Sequence, residues 1–79
     1  MSGAVVHRLA IAGASGRMGQ MLIEAVRHSG DCELGGALDV AASPSIGTDA
    51  SAFSGHASGV LIQSDIRTGL QDAGVLIDF

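Results

Sequence analysis

The sequence predicts an α/β domain built on a parallel sheet, with its elements in the order β-α-β-loop-β-α-β. Two observations predict it. Short apolar runs alternate with amphipathic stretches, and the first apolar run passes directly into three glycines spaced three residues apart, Gly13, Gly16 and Gly19. Mostly apolar strands suit a sheet that is covered on both faces. We therefore expect the first portion of a doubly wound parallel sheet.

The first strand is predicted over residues 5–12 and ends at the glycines. Gly13 suits the tight turn that leaves a strand, Gly16 lets an anion approach the backbone, and Gly19 lets the next helix press against the strand. The first turn of that helix offers free N–H groups and the positive end of its dipole, which together form an anion site. Ser15 is expected to cap the helix or to donate to a phosphate oxygen.

The first helix is predicted to bury one apolar stripe. The residues of this stripe, at helical spacing, are Met18, Met21, Leu22, Ala25 and Val26. Gly30 is expected to close the helix just after its C-cap. The next apolar run, Cys32 to Leu38, predicts a second strand, and Asp39 follows it, twenty positions after Gly19. In dinucleotide-binding folds an acidic residue at this place binds the adenosine ribose.

Arg17 stands in the first turn of the predicted helix, where a cation opposes the helix dipole. The opposition costs a few tenths to about 1 kcal/mol, so local stability does not explain this residue. A bound phosphate would explain it. The alternative is a surface arginine whose stem covers apolar atoms. Between two motif glycines, the phosphate is the better interpretation.

The remaining sequence predicts two more strands and a short helix. Residues 41–59 are rich in Ser, Gly and Ala and show no periodicity, which indicates a loop. Residues 60–63 and 75–79 are predicted strands. Between them, Asp65 is expected to cap a helix that runs to about Asp72. A dinucleotide binds across two halves of such a sheet, so we expect half of the cofactor site and all of the substrate site to lie beyond the last residue.

Composition excludes several classes of function. Four basic residues against eight acidic ones, with two aromatic residues, provide neither a basic patch nor a stacking surface for nucleic acid. No apolar run approaches the ~18 residues of a membrane span, and the first six residues are too short and uncharged for a signal peptide, so we expect a cytoplasmic protein. The single cysteine, Cys32, allows no internal disulfide. His7, His28 and His56 lack the spacing of a metal site, and no metal is expected.

Together these motifs resemble the N-terminal part of bacterial dihydrodipicolinate reductases. The matching segments are Gly13-Ala14-Ser15-Gly16-Arg17-Met18-Gly19, Gly36-Ala37-Leu38-Asp39, Ser43-Pro44, Gly47-Thr48-Asp49-Ala50, Gly55, Gly59-Val60 and Val75-Leu76-Ile77-Asp78-Phe79. Enzymes of that family use NADH or NADPH to reduce the cyclic product of dihydrodipicolinate synthase in diaminopimelate and lysine biosynthesis. The resemblance implies that residues 1–79 are a truncated Rossmann-type dinucleotide-binding domain. It also implies that a C-terminal domain, absent here, binds the small-molecule substrate and assembles a homotetramer.

The resemblance implies roles for individual residues. The residues expected to contact the cofactor are Gly13, Ala14, Ser15, Gly16, Arg17, Met18, Asp39 and Phe79. Of these, Arg17 would face the phosphates, Asp39 would hold the adenosine ribose and Phe79 would close over the cofactor. Many relatives follow the acidic residue with an arginine suited to the 2′-phosphate of NADP, but here Val40 follows it, so NADH is expected to be preferred over NADPH. The family's segment His-His-x-x-Lys-x-Asp-x-Pro-Ser-Gly-Thr is absent, so no catalytic residue is expected in this chain.

Three alternatives share these features. Extended short-chain dehydrogenases and epimerases have the same glycine turn, followed by a Tyr-x-x-x-Lys further along, and this chain contains neither tyrosine nor lysine. A nucleotide-sensing module that binds NAD(H) without chemistry would carry the same half of the fold. In the third alternative the glycines form only a close-packed turn, and their spacing to Asp39 is a coincidence.

Overall fold

The computed structural model describes residues 7–77, which form a four-stranded sheet with two α-helices. In chain order the elements are β1 (His7–Ala12), α1 (Arg17–Arg27), β2 (Cys32–Leu38), a short 3-10 helix (Ala52–Ser54), β3 (Ile62–Gln63), α2 (Ile66–Gly69) and β4 (Val75–Ile77). The strands lie in the order β3-β2-β1-β4 with parallel pairing throughout, which confirms the predicted class and element order. The predicted strand positions 5, 6, 78 and 79 lie outside the described residues.

The two helices lie on opposite faces of the sheet, because successive residues of a strand point to opposite sides. Ala37 of β2 packs in the hydrophobic core with Ile23 of α1. Its neighbours Gly36 and Leu38 instead meet Gly69 of α2. A sheet with helices on both faces is the doubly wound arrangement that the sequence predicted.

The hydrophobic core lies on the α1 side of the sheet. Ile11 of β1 and Ala37 of β2 are fully buried beneath Ile23. Ala50, from the long loop between β2 and β3, joins the same cluster, as does Ile62 of β3. The loop therefore packs as part of the core.

On the opposite face, α2 lies directly on the backbone of β2. A Cβ atom at Gly36 would stand 1.8 Å from the carbonyl oxygen of Gly69, and one at Gly69 would stand 2.3 Å from the Leu38 Cδ2 atom. Both distances are far below van der Waals contact. Glycine at these two positions is therefore what allows the short helix to reach the sheet.

The buried face of α1 differs from the predicted stripe. Met18 and Met21 are 54% and 62% exposed, and Ala25 is also exposed, so the prediction that they face the core was wrong. The buried residues of α1 are Gly19, Ile23 and Val26. Of the predicted stripe, Val26 is buried and Leu22 packs against the core, as expected. The cause of the difference is the close approach of Gly19 to the turn before the helix. Ile23 and Val26 lie four and seven positions after Gly19, on the same face of the helix, and so they also face the sheet.

The first helix also ends differently from the prediction. It ends at Arg27, and its C-cap residue His28 has right-handed angles, with φ −91°. Gly30 does not adopt a positive φ, so its predicted role in closing the helix was wrong.

With 11 residues, α1 is the longest helix in residues 7–77, and no helix there is long and apolar enough to cross a membrane.

The second helix begins as predicted and ends early. The side chain of Asp65 caps it by accepting the backbone N–H two residues ahead at 2.9 Å. The helix ends at Gly69 and does not run to Asp72. The chain has to turn here to join the sheet, because the N–H of Gly74 already donates to the carbonyl oxygen of Arg8 in β1 at 2.9 Å.

The predicted long loop is organised around Asp49. Its carboxylate accepts the backbone N–H groups of Ser51 at 2.8 Å, Ser58 at 2.9 Å and Gly59 at 2.9 Å, and the Ser58 hydroxyl at 2.8 Å. Burial raises the pKa of this carboxyl, but the hydrogen bonds outweigh burial and lower its pKa to about 2. The backbone of Asp49 also forms an antiparallel bridge with Leu61, so the loop folds back beside β3.

Candidate functional site

A tight glycine turn leads from β1 into α1. Gly13 has φ +72°, the left-handed conformation that a side chain disfavours, and its carbonyl oxygen accepts the N–H of Gly16 at 2.9 Å. A Cβ atom at Gly16 would lie 3.3 Å from that same oxygen, and one at Gly19 would lie 2.1 Å from it. The turn therefore favours glycine at positions 13 and 19 and leaves little room for a side chain at position 16. Gly19 fixes the distance between helix and strand.

The amino end of α1 is open. Its N-cap residue is Gly16, whose extended backbone lacks a side chain that could cap the helix. Of the two roles expected for Ser15, the N-cap role was therefore wrong, and donation to a phosphate oxygen stays a prediction. The first-turn N–H groups of Arg17, Met18 and Gly19 have no partner within the helix, since the first helical hydrogen bond is donated by Gln20. These groups and the helix dipole favour an anion at this point.

Asp39 is joined to the glycine turn. Its Oδ2 atom accepts the backbone N–H of Ser15 at 2.9 Å and also the Ser15 hydroxyl. Its Oδ1 atom accepts the N–H of Val40 at 2.8 Å. The hydrogen bond from the Ser15 hydroxyl lowers the pKa of Asp39; burial raises it, and the two N–H groups lower it further. Asp39 is therefore a fixed negative charge beside the helix N-terminus.

A cleft of about 570 Å³ opens at the carboxyl ends of the strands. Five of the predicted site residues line it together: Gly13, Gly16, Arg17, Met18 and Asp39. Arg17 is exposed, and it takes part in none of the ion pairs within residues 7–77. The cleft thus presents one arginine, one carboxylate and the amino end of a helix.

The other predicted site residues lie elsewhere. Ala14 is only 1% exposed and belongs to the core, and its N–H donates to the carbonyl oxygen of Leu38 at 3.0 Å. Ser15 contacts Asp39 from the side of the turn. Phe79 lies outside the described residues, so its predicted role in closing over the cofactor stays a prediction.

Several residues of the cleft were not predicted. These are Ser64, Ile66 and Leu76. Val40, which the sequence had already singled out beside Asp39, also lines the cleft and is 67% exposed. A signal for Ser64 was present in the sequence, because it directly follows the strand β3, whose carboxyl end must point to the same edge of the sheet as that of β2. No motif indicated Ile66, and Leu76 lies in the predicted strand over residues 75–79, for which only Phe79 had a predicted site role.

A second cleft of about 560 Å³ lies toward the amino ends of β1 and β2. Its lining includes Arg8, Cys32 and Glu33, and Arg8 lies 3.9 Å from the Glu33 carboxylate. In open α/β sheets, ligands bind outside the carboxyl ends of the strands. The cleft that contains the glycine turn is therefore the candidate site.

Comparison with known proteins gives one family. Residues 7–79 match the family described as "Dihydrodipicolinate reductase, N-terminus". The 4-hydroxy-tetrahydrodipicolinate reductase of Herminiimonas arsenicoxydans is 62% identical over 72 residues, or 91% of this chain. Proteins of the same name from Janthinobacterium sp. (strain Marseille) and Ralstonia nicotianae are 57% and 56% identical over 72 residues. The chain spans 27% of the length of each of these relatives.

Proposed function

The chain belongs to the family of the dihydrodipicolinate reductase N-terminus, and on that premise we propose that it is the cofactor-binding part of an NAD(P)H-dependent reductase in diaminopimelate and lysine biosynthesis. The observation that carries the proposal is the position of Asp39, which hydrogen-bonds to the glycine turn beside the open amino end of α1. The family match favours this function over extended short-chain dehydrogenases, epimerases and a sensing module.

The residues of the cleft fit the adenosine and pyrophosphate end of the cofactor. The pyrophosphate would lie on the N–H groups of the first turn of α1, where Gly16 contributes no side chain to block it and Arg17 supplies a positive charge. Asp39 would accept a ribose hydroxyl on the lone pair of its carboxylate that no donor of the chain occupies. When bound, NAD(P)H supplies a hydride to the substrate.

The remaining functions of the enzyme belong to a part that this sequence does not contain. We propose that a C-terminal domain binds the small-molecule substrate, carries the catalytic groups and assembles the enzyme into a homotetramer. The chain's share of its relatives, 27% of their length, is in keeping with this division of labour. Phe79 is proposed to close over the cofactor and Met18 to contact it. Ala14 is buried and its N–H donates to Leu38, so no contact from Ala14 is proposed.

NADH is the proposed preferred cofactor. The 2′-phosphate of NADPH would stand next to the carboxylate of Asp39, a contact between like charges. Val40 offers no positive charge at the following position. Among residues 7–77, Arg17 is the cation that lines the cleft, whereas Arg8 lies beside Glu33 at the other end of the sheet.

Isothermal titration of the chain with NADH and with ADP-ribose tests the proposal. Both ligands carry the adenosine and pyrophosphate end, so we expect them to bind with similar affinity. Asp39→Asn keeps the shape of the side chain and removes its charge, and it should weaken both. Circular dichroism checks that the chain is folded, and a folded chain that binds neither ligand would contradict the assignment of the cleft.

A further inference from the structure

We propose that Ser15 is a positioning residue, which fixes the carboxylate of Asp39 and thereby makes the site select a ribose with a free 2′-hydroxyl. The inference rests on the proposed function and deepens it. It begins from the number of donors that Asp39 already has. A carboxylate has about four lone-pair sites, and here the N–H and hydroxyl of Ser15 and the N–H of Val40 occupy three of them.

The site that remains lies on Oδ1, because both donors from Ser15 bind Oδ2 and Val40 takes one position on Oδ1. A ribose hydroxyl can donate a proton to this remaining lone pair. An ionised 2′-phosphate has only acceptor oxygens at this place and brings a second negative charge. A carboxylate that cannot rotate away from the cleft therefore discriminates more strongly than a mobile one between a ribose with a free 2′-hydroxyl and a ribose with a 2′-phosphate.

Ser43 fixes the direction of the Ser15 hydroxyl. The Oγ atom of Ser15 lies 3.1 Å from the Oγ atom of Ser43. The Ser43 Oγ atom also accepts the N–H of Ser45 at 3.2 Å. An ionised carboxylate can only accept, so the single proton of the Ser15 hydroxyl goes to Asp39. The Ser43 hydroxyl then donates to Ser15. The result is a chain of hydrogen bonds from the loop after β2 to Asp39, in which each bond polarises the next.

The role of the hydroxyl can be separated from that of the backbone. Ser15→Ala removes the Oγ donor but keeps the backbone N–H that lies 2.9 Å from Oδ2. Ser15→Thr keeps a hydroxyl and serves as the conservative rescue. Ser29→Ala is the matched control, because it also removes a serine hydroxyl that donates to an aspartate, Asp31, at 2.7 Å. Neither Ser29 nor Asp31 lines the candidate cleft.

The test is isothermal titration of these variants with ADP-ribose and with ADP-ribose 2′-phosphate, two ligands that differ only at the ribose. For Ser15→Ala we expect the affinity for ADP-ribose to fall by up to about tenfold, because binding must then immobilise the Asp39 side chain. The ratio of the affinity for ADP-ribose to the affinity for ADP-ribose 2′-phosphate should fall with it. Ser15→Thr should restore the ratio, and Ser29→Ala should leave it unchanged. Ser43→Ala should lower it by a smaller factor.

Equal loss of affinity for both ligands in Ser15→Ala would overturn the inference, because Ser15 would then support only the turn or the pyrophosphate. No change in either affinity would also overturn it. If Ser15→Ala does not fold, Ser43→Ala decides, and an unchanged ratio in that variant counts against the inference. Failure of the unaltered chain to bind ADP-ribose is the distinct result that overturns the proposed function, and this inference with it.

Discussion

Gly19 lies so close to Gly13 that a Cβ atom on Gly19 would stand 2.1 Å from the Gly13 carbonyl oxygen and 2.8 Å from its carbonyl carbon. Both atoms belong to the backbone and cannot rotate aside. Gly19→Ala should therefore push α1 away from β1 and lower the free energy of unfolding by at least about 2 kcal/mol. Urea denaturation followed by circular dichroism measures the loss.

Gly30→Ala is the control for this prediction. Gly30 has an ordinary φ, and nothing lies within 4 Å of a Cβ atom built on it. The substitution should leave stability unchanged or raise it by up to about 1 kcal/mol, because alanine restricts the unfolded chain. Equal stability of the two variants would show that the contact between Gly19 and Gly13 does not limit helix packing.

The stability of the chain should depend on Asp49 at acid pH. Its folded pKa of about 2 lies below that of an unfolded aspartate, so its stabilisation is complete above about pH 4 and is lost as the pH falls toward 2. Asp49→Asn should lower the free energy of unfolding by about 1–2 kcal/mol near neutral pH, since the N–H groups of Ser58 and Gly59 lose a charged acceptor. The difference from the unaltered chain should shrink as the pH falls.

Urea denaturation at about pH 7 and about pH 3 tests this dependence. Asp72→Asn is a suitable control, because its exposed side chain takes part in none of the hydrogen bonds of residues 7–77. A constant difference between Asp49→Asn and the unaltered chain across this range would show that the carboxylate charge does not hold the loop.

Arg17 is predicted to act on the ligand and not on the fold. Arg17→Ala should weaken binding of NADH or ADP-ribose by about 1.5–3 kcal/mol, the range for hydrogen bonds to charged groups. Thermal stability should stay the same or rise slightly, because a cation in the first turn of α1 opposes the helix dipole. Arg67→Ala, in the single turn of α2 and outside the cleft, is the control. A drop in thermal stability with unchanged affinity would show that Arg17 is structural.

The cofactor preference should follow the charge at positions 39 and 40. The unaltered chain is expected to bind NADH more tightly than NADPH at fixed ionic strength. Asp39→Ser should reduce the difference between the affinities for NADH and NADPH, because it removes the negative charge. Val40→Arg should also reduce this difference, because it adds a positive partner for the 2′-phosphate. A preference of tenfold or more for NADPH in the unaltered chain would contradict the role proposed for Asp39.

Residues 1–79 are expected to bind the cofactor without turning it over. Hydride transfer needs the nicotinamide and the acceptor carbon held within about 3–3.5 Å, and that positioning supplies much of the rate. The described cleft offers groups for the adenosine and pyrophosphate end. An assay of NADH oxidation with the product of dihydrodipicolinate synthase as substrate should show only the background rate. Turnover by the purified chain would show that it contains catalytic groups after all.

The sequence predicted those parts of the site that depend on local backbone chemistry. A strand, three glycines and a helix are adjacent in the chain, and the distance to Asp39 follows from the length of one β-α-β unit. The link between Ser15 and Asp39 was not predictable in the same way. It joins residues 24 positions apart, and it forms only because the sheet places the ends of β1 and β2 side by side.

The buried face of α1 shows why periodicity alone was insufficient. Two stripes have helical spacing: the predicted one, which begins at Met18 and Met21, and one through Ile23. Both include Val26. The choice depends on Gly19, which carries no apolar side chain and so does not enter a hydrophobic pattern. The organisation of the loop by Asp49 was not predictable for a related reason, since its partners lie up to ten residues away and most donate through the backbone N–H, which no side-chain pattern records.

Val40 combines a fixed backbone with a free side chain. Its N–H donates to Asp39 at 2.8 Å, a bond that every residue except proline can make, while its side chain is 67% exposed in the cleft. Substitutions at this position should therefore be nearly neutral for folding while they alter ligand choice. On the proposed function, single mutations at this position would change the cofactor specificity of an evolving lineage without compensating changes elsewhere, whereas a side chain at Gly19 or Gly36 would collide with the backbone.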